Sequence, residues 1–136
     1  MNDLAPQLYH FTCKDGHRRI GRFNALLIPQ GGTHPYAGWP PLLWFTVLAE
    51  PDRETTGLAA VNTTCDRMAH RYVIGPGSGC VSWLGSRWRA ETPEKWLALI
   101  EEYGDPEHWW VSGQPVKATW DRAYAETYAA RNKNGG

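Results

Sequence analysis

Apolar and polar positions alternate most regularly near the start of the chain, in QLYHFTC at residues 7–13. A period of two is that of a strand. It puts Leu8, His10 and Thr12 on one face and Tyr9 and Phe11 on the other. KDGHRRIGRF, residues 14–23, breaks the alternation and predicts a turn and one turn of helix. ALLIPQ, residues 25–30, predicts a short second strand. GGTHPYAGWPP, residues 31–41, carries three glycines and three prolines in eleven residues, which predicts a long loop. LLWFTVLA, residues 42–49, is almost wholly apolar between Pro41 and Pro51 and predicts a central strand covered on both faces.

Residues 51–69 lack periodicity, and Gly57 with its Thr and Asn neighbours predicts loop. HRYVI, 70–74, reads as a strand running into the turn GPGSG, with CVSWL, 80–84, returning beside it as a hairpin. TPEKWLALIEEYG, 92–104, predicts a helix with Thr92 as N-cap, Pro93 as first helical residue and Gly104 as its stop. Trp96, Leu99, Ile100 and Tyr103 fall on one stripe of it, which reads as core. EHWWVSG, 107–113, predicts a strand that QPVKATW, 114–120, continues or pairs with. DRAYAETYAAR, 121–131, predicts a helix, and NKNGG a frayed end. Neither an internal repeat nor a linker interrupts the chain. The expectation is one domain over residues 1–136, of α+β class: a mainly antiparallel, split β-sandwich with one or two packed helices. The split-sandwich detail comes from the resemblance described below.

Composition narrows the function classes. Basic and acidic residues balance at 14 each, so no global positive field draws the protein to nucleic acid. Eight tryptophans and ten prolines imply short strands and a core of rings. Trp39, Trp44, Trp88 and Trp110 are candidates to line a groove for flat bases. No apolar run approaches the ~20 residues of a membrane helix, and the first residues do not have the pattern of a signal peptide. The expectation is therefore no membrane partner. Cys13, Cys65 and Cys80 form no Cys-x-x-Cys pair, which favours inert thiols and a reducing, cytoplasmic setting. His10, Cys13 and His17, with Cys65 and His70, do not have zinc spacing, so no metal is expected. Cys13 has histidines nearby but no local signature of a catalytic thiol.

Polar groups rising from apolar strands are the remaining constellation. His10 and Thr12 on one strand and Thr46 on another could flank a cleft, with Tyr9, Trp44 and Phe45 supplying flat surface and Arg67 and Arg71 supplying forks for phosphate. The plain alternatives are a Thr46 hydroxyl bonded to its neighbour's backbone and arginines solvated on a strand. Neither glycine-rich nucleotide fingerprint is present. A dinucleotide would have to be held by side chains and strand ends.

LYHFT and LLWFT resemble the first and second motifs of the ADP-ribosyltransferase-like superfamily, in particular its DNA-targeting toxins. The order LYHFTC, LLWFT, TGL, CDR, HRYVI, HWWVS, PV is similar to small phage and actinobacterial proteins near that superfamily, across residues 8–117. The resemblance implies a split sandwich around a cleft for NAD, used as substrate. His10 would bond the nicotinamide-side ribose, the Phe11 backbone and Thr12 would face the carboxamide, and Tyr9 or a nearby ring would pack on the nicotinamide. Thr46 would buttress the site, and Arg71 would meet a phosphate. Glu107 matches by order the late acidic residue that stabilises the cationic ribose. The implied reaction is transfer of ADP-ribose to a macromolecular acceptor, nucleic acid or protein, in the host cytoplasm if the protein is phage-encoded. The alternative is a non-catalytic nucleotide- or protein-binding module, such as a phage protein acting on a host factor. A phage structural protein with interface tryptophans is a third reading. Oligomeric state is left open.

Overall fold

The computed structural model describes residues 5–20, 25–29, 42–51, 66, 68–102 and 104–135. They form an α+β domain around one curled, antiparallel, seven-stranded sheet in the order β2-β7-β4-β1-β3-β6-β5. The strands are β1 (Leu8–Thr12), β2 (Ala25–Leu27), β3 (Leu43–Thr46), β4 (His70–Ile74), β5 (Val81–Ser82), β6 (Trp109–Ser112) and β7 (Val116–Trp120). The helices are α1 (Lys14–Ile20), α2 (Arg87–Glu91), α3 (Glu94–Glu101) and α4 (Arg122–Gly135), with a 3-10 turn at Pro106–His108. The α+β class and the antiparallel pairing are as expected, and four α-helices are seen among the described residues where one or two were expected.

Register divides the side chains cleanly. Leu8, His10 and Thr12 of β1 stand opposite Ile74, Tyr72 and His70 of β4, so these six share one face. Tyr9 stands opposite Val73 and Thr46, and Phe11 opposite Arg71, so these five share the other. The His10 face holds the larger core, including Leu8, Leu43, Phe45, Tyr72, Ile74 and Val116. The Arg71 face holds a second cluster, in which Trp83, Trp109 and Val111 are joined by Trp44, Trp88, Leu97 and Ile100. Thus α2 and α3 cover one end of the Arg71 face, and α4 covers the β4 end through Tyr124.

Several local expectations are corrected. HRYVI pairs with β1 and β7, not with the 80–84 stretch; β5 pairs instead with β6 at the far edge. Gly77 and Gly79, at φ 77 and 89, occupy the left-handed region in the connection that leaves β4. β7 pairs with β2 and β4 rather than β6. Thr92 does not cap α3. It closes α2, its hydroxyl donating to the Trp88 carbonyl at 2.6 Å, and Pro93 is the N-cap residue of α3. On α3, Leu99 is 58 % exposed, so the core side is carried by Leu97 and Ile100. Cys13 is disulfide-bonded, against the expectation of inert thiols, whereas Cys80 is free and buried. The expected loop 31–41 and residues Trp39, Cys65, Arg67 and Tyr103 lie outside the described residues.

Candidate functional site

His10 sits on β1, between β3 and β4, half-buried on the core face. Its Nδ1 lies 2.9 Å from the Trp44 carbonyl oxygen, and its ring lies 5.7 Å from that of Phe45. A carbonyl only accepts, so Nδ1 carries the proton and the lone pair of a neutral His10 resides on Nε2. β3 therefore orients the imidazole through its backbone. Thr12 shares the face, and α1 packs closely behind it: a Cβ on Gly16 would fall 1.9 Å from the Thr12 hydroxyl oxygen. Glycine is needed there for helix and strand to approach.

Four further residues join them. His17 of α1 is hydrogen-bonded through Nδ1 to the hydroxyl of the fully buried Tyr72, at 2.7 Å. The His17 ring stacks on His70 with centroids 4.0 Å apart and planes 11° apart. Trp120 of β7 donates its indole N–H to His70 Nδ1 at 3.1 Å. Burial pushes the Tyr72 phenol up to about 12, so it remains protonated at neutral pH. The His10 face thus gathers His10, Thr12, His17, His70, Tyr72 and Trp120 from four elements. Among the described residues no group of three or more His, Cys, Asp or Glu side chains is arranged to hold a metal ion.

The other residues expected in the cleft leave the sheet on the opposite side. Tyr9 accepts a bond from Gln7 at 2.8 Å and lies under the Arg71 guanidinium, 5.2 Å from its ring centre. The Phe11 ring packs edge-on against Tyr124, with centroids 5.7 Å apart, while its backbone, the part expected to face a carboxamide, runs in β1. The Trp44 ring packs on Trp83 and Trp109, at 4.9 and 5.7 Å, so only its carbonyl reaches His10. Thr46 is buried, and its hydroxyl accepts from the Leu48 amide at 3.1 Å, which is the plain structural use.

Arg71 is engaged by protein groups. It donates to Asp121 from Nε and Nη2, to the Ala49 carbonyl at 2.7 Å from Nη1, and lies 4.5 Å from the Tyr124 ring centre. Burial pushes the Asp121 carboxyl up, but Arg71 and the Tyr124 amide outweigh it and hold the group below its ordinary range. This network fastens α4 to the sheet.

Glu107 is exposed and belongs to the 3-10 turn, not to a strand. His10, Phe45 and Trp110 lie in one row across β1, β3 and β6. Glu107 is three residues beyond that row and two strands over, roughly 14 Å from His10 at ~3.3 Å per residue and ~4.8 Å per strand. The structure does not bring the two together.

Sequence reasoning passed over His17, His70, Tyr72 and Trp120 as site residues. The signal for His70 was available, since a period of two in HRYVI puts it with Tyr72. The signal for His17 required α1 to be recognised as a helix. The chain matches no family model, no curated protein and no solved structure. Among the described residues no helix is long and apolar enough to cross a membrane.

Proposed function

We propose that this protein is an ADP-ribosyltransferase-like NAD-binding protein whose ligand lies on the His10 face of the sheet. The observation that carries the reading is adjacency. LYHFT, LWFT and HRYVI, three of the stretches in the resemblance, are neighbouring strands in the order β4-β1-β3, and His10 is on the middle one. A neutral His10 with its lone pair on Nε2 accepts from a ribose hydroxyl. The His17–His70 stack and the Trp120 indole packed on it supply a polarisable edge beside which a nicotinamide or adenine ring would lie. Thr12 is on the same face of β1.

In the transfer reaction the bond between the ribose C1′ and nicotinamide breaks, and its electron pair leaves on the neutral nicotinamide. The cationic ribose is captured by a nucleophile of the acceptor, nucleic acid or protein, whose proton passes to a base; Nε2 of His10 is suited to accept it. Stabilisation of that cation by Glu107 would require an approach of roughly 14 Å, judged from strand spacings.

That separation favours a second reading, a module that binds the nucleotide and does not cleave it. Calorimetry with NAD, followed by mass analysis for released nicotinamide with DNA or protein as acceptor, separates the two. Binding with release supports transfer; binding without release supports the module; absence of binding overturns both. His10→Ala removes one hydrogen bond to the ligand, worth about 1–1.5 kcal/mol, and weakens NAD binding roughly tenfold.

A further inference from the structure

The short turn that opens β6 holds a histidine in a fixed pose. The Asp105 carboxylate accepts from two donors: His108 Nδ1 lies 3.1 Å from Oδ2, and the Trp109 indole N–H donates to Oδ1 at 3.0 Å. Trp109 is buried, and the Asp105 side chain is 12 % exposed against 35 % for His108. The buried indole therefore fixes the carboxylate, and the carboxylate fixes the imidazole. The backbone is tied as well. The His108 amide donates to the Asp105 carbonyl at 2.9 Å, the Trp109 amide donates to the Pro106 carbonyl, and the His108 carbonyl accepts from the Val47 amide at 3.2 Å.

A carboxylate only accepts, so Nδ1 of a neutral His108 carries the proton and Nε2 keeps the lone pair. Among the described residues Nε2 has no hydrogen-bond partner. We propose that His108 is a nucleophile towards neutral carbonyl compounds, esters and anhydrides, and that Asp105 is its positioning residue. A nucleophile held by a third group at its far side is the arrangement that aims a lone pair at an incoming carbon. Asp105 supplies that hold, and Trp109 holds Asp105 in turn.

The neighbouring charges choose the class of electrophile. Residues 102–114 carry Glu102, Asp105 and Glu107 and neither lysine nor arginine. Glu102 and Glu107 are exposed. An anionic donor such as an acyl phosphate meets negative charge on approach, and an uncharged ester does not. A metal ion does not fit the turn, since among the described residues no three His, Cys, Asp or Glu side chains are arranged to hold one.

In the reaction Nε2 bonds to the carbonyl carbon, and the bond from that carbon to the leaving oxygen breaks with its electron pair going to oxygen. Nδ1 gives its proton to solvent by way of Asp105, and the leaving oxygen takes one up. Water then attacks the acyl-imidazole, releasing the carboxylic acid and returning a proton to Nδ1. The inference does not rest on the nucleotide reading.

The test is limited reaction with diethyl pyrocarbonate at pH 8, mapped by peptide mass analysis, on the wild type and Asp105→Asn. An amide has a single oxygen for the two donors that Asp105 serves, so the variant loosens the imidazole. In the wild type His108 should react ahead of His10, His17 and His70. In the variant its rate should fall severalfold while theirs stay unchanged. Reaction led by another of these histidines overturns the proposal. So does an equal rate at His108 in the two proteins, which would mean that exposure alone sets its reactivity. If the variant does not fold, nitrogen NMR of the wild type at the same pH decides: a ring proton on Nδ1 of His108 supports the proposal, and a ring proton on Nε2 overturns it.

Discussion

Tyr9 of β1 and Thr46 of β3 stand directly opposite one another, so the Thr46 hydroxyl and the His10 imidazole emerge from opposite sides of the sheet. A single cleft cannot use both side chains without crossing the sheet. Thr46 instead closes a local turn with Leu48. Thr46→Val should lower stability by about 1 kcal/mol, the net value of one hydrogen bond, and leave NAD affinity within a factor of two of the wild type. Denaturant unfolding and calorimetry read the two effects separately. A large loss of affinity with unchanged stability would place Thr46 in the ligand site after all.

Trp83, fully buried, donates its indole N–H to Glu101, and Arg89 grips the same carboxylate from Nε at 2.8 Å and Nη2 at 3.1 Å. Glu101→Leu removes the carboxylate that both Trp83 and Arg89 bond and should cost about 1–3 kcal/mol. Burial pushes the Glu101 carboxyl up, yet Arg89 and Trp83 outweigh it and hold it below its ordinary range. The folded state therefore binds fewer protons than the unfolded one near pH 4. The stabilisation is complete above about pH 5 and is lost as pH falls through about 4.3 and below. Glu101→Gln keeps an acceptor for Trp83 and should flatten the acid limb of the stability curve.

Arg71 and Asp121 tie α4 to β4, with side chains 16 % and 20 % exposed. Removing one partner strands the other where water reaches it poorly. Breaking a fully buried pair costs about 3–5 kcal/mol, and partial exposure reduces this to about 1–3. Arg71→Met should destabilise by that amount while NAD affinity is retained, since Arg71 faces away from His10. A loss of affinity beyond tenfold at unchanged stability would return Arg71 to the phosphate role.

Cys13 and Cys80 should differ in chemistry. Alkylation of the native protein followed by peptide mass analysis should find Cys13 protected until reductant is added, because it is disulfide-bonded. Cys80 is only 4 % exposed, and burial pushes its thiol up, outweighing the Ser78 bond. It should resist alkylation until the protein is unfolded, with no need of reductant.

Local pattern told most where an element is short and half-buried. The alternation in LYHFT and HRYVI assigned both strands and the faces of Leu8, His10 and Thr12 as the structure has them. It could not say which strand lies beside which. The order β4-β1-β3 joins segments far apart in sequence, and the short 75–79 connection suggested a hairpin where the chain instead travels to the opposite edge. α2 spans five residues and carries no amphipathic repeat to read; its cap is Ser86, which accepts from the Arg89 amide. Nothing in the α3 pattern marks Glu101, because the Trp83 indole that claims it comes from another part of the chain. Arg71 reads as an exposed cation for the same reason, since Asp121 lies fifty positions away. The candidate site was legible as far as His10 and Thr12; pairing register decided which side every other proposed residue faces.

The most direct measurement is backbone and side-chain NMR of the wild type titrated with NAD. The account predicts shifts concentrated at His10, Thr12, His17, His70 and Trp120, with little change at Tyr9, Thr46, Arg71 and Tyr124, and loss of those shifts in His10→Ala. Perturbations confined to the Arg71 face, or a spectrum indifferent to NAD, would contradict it.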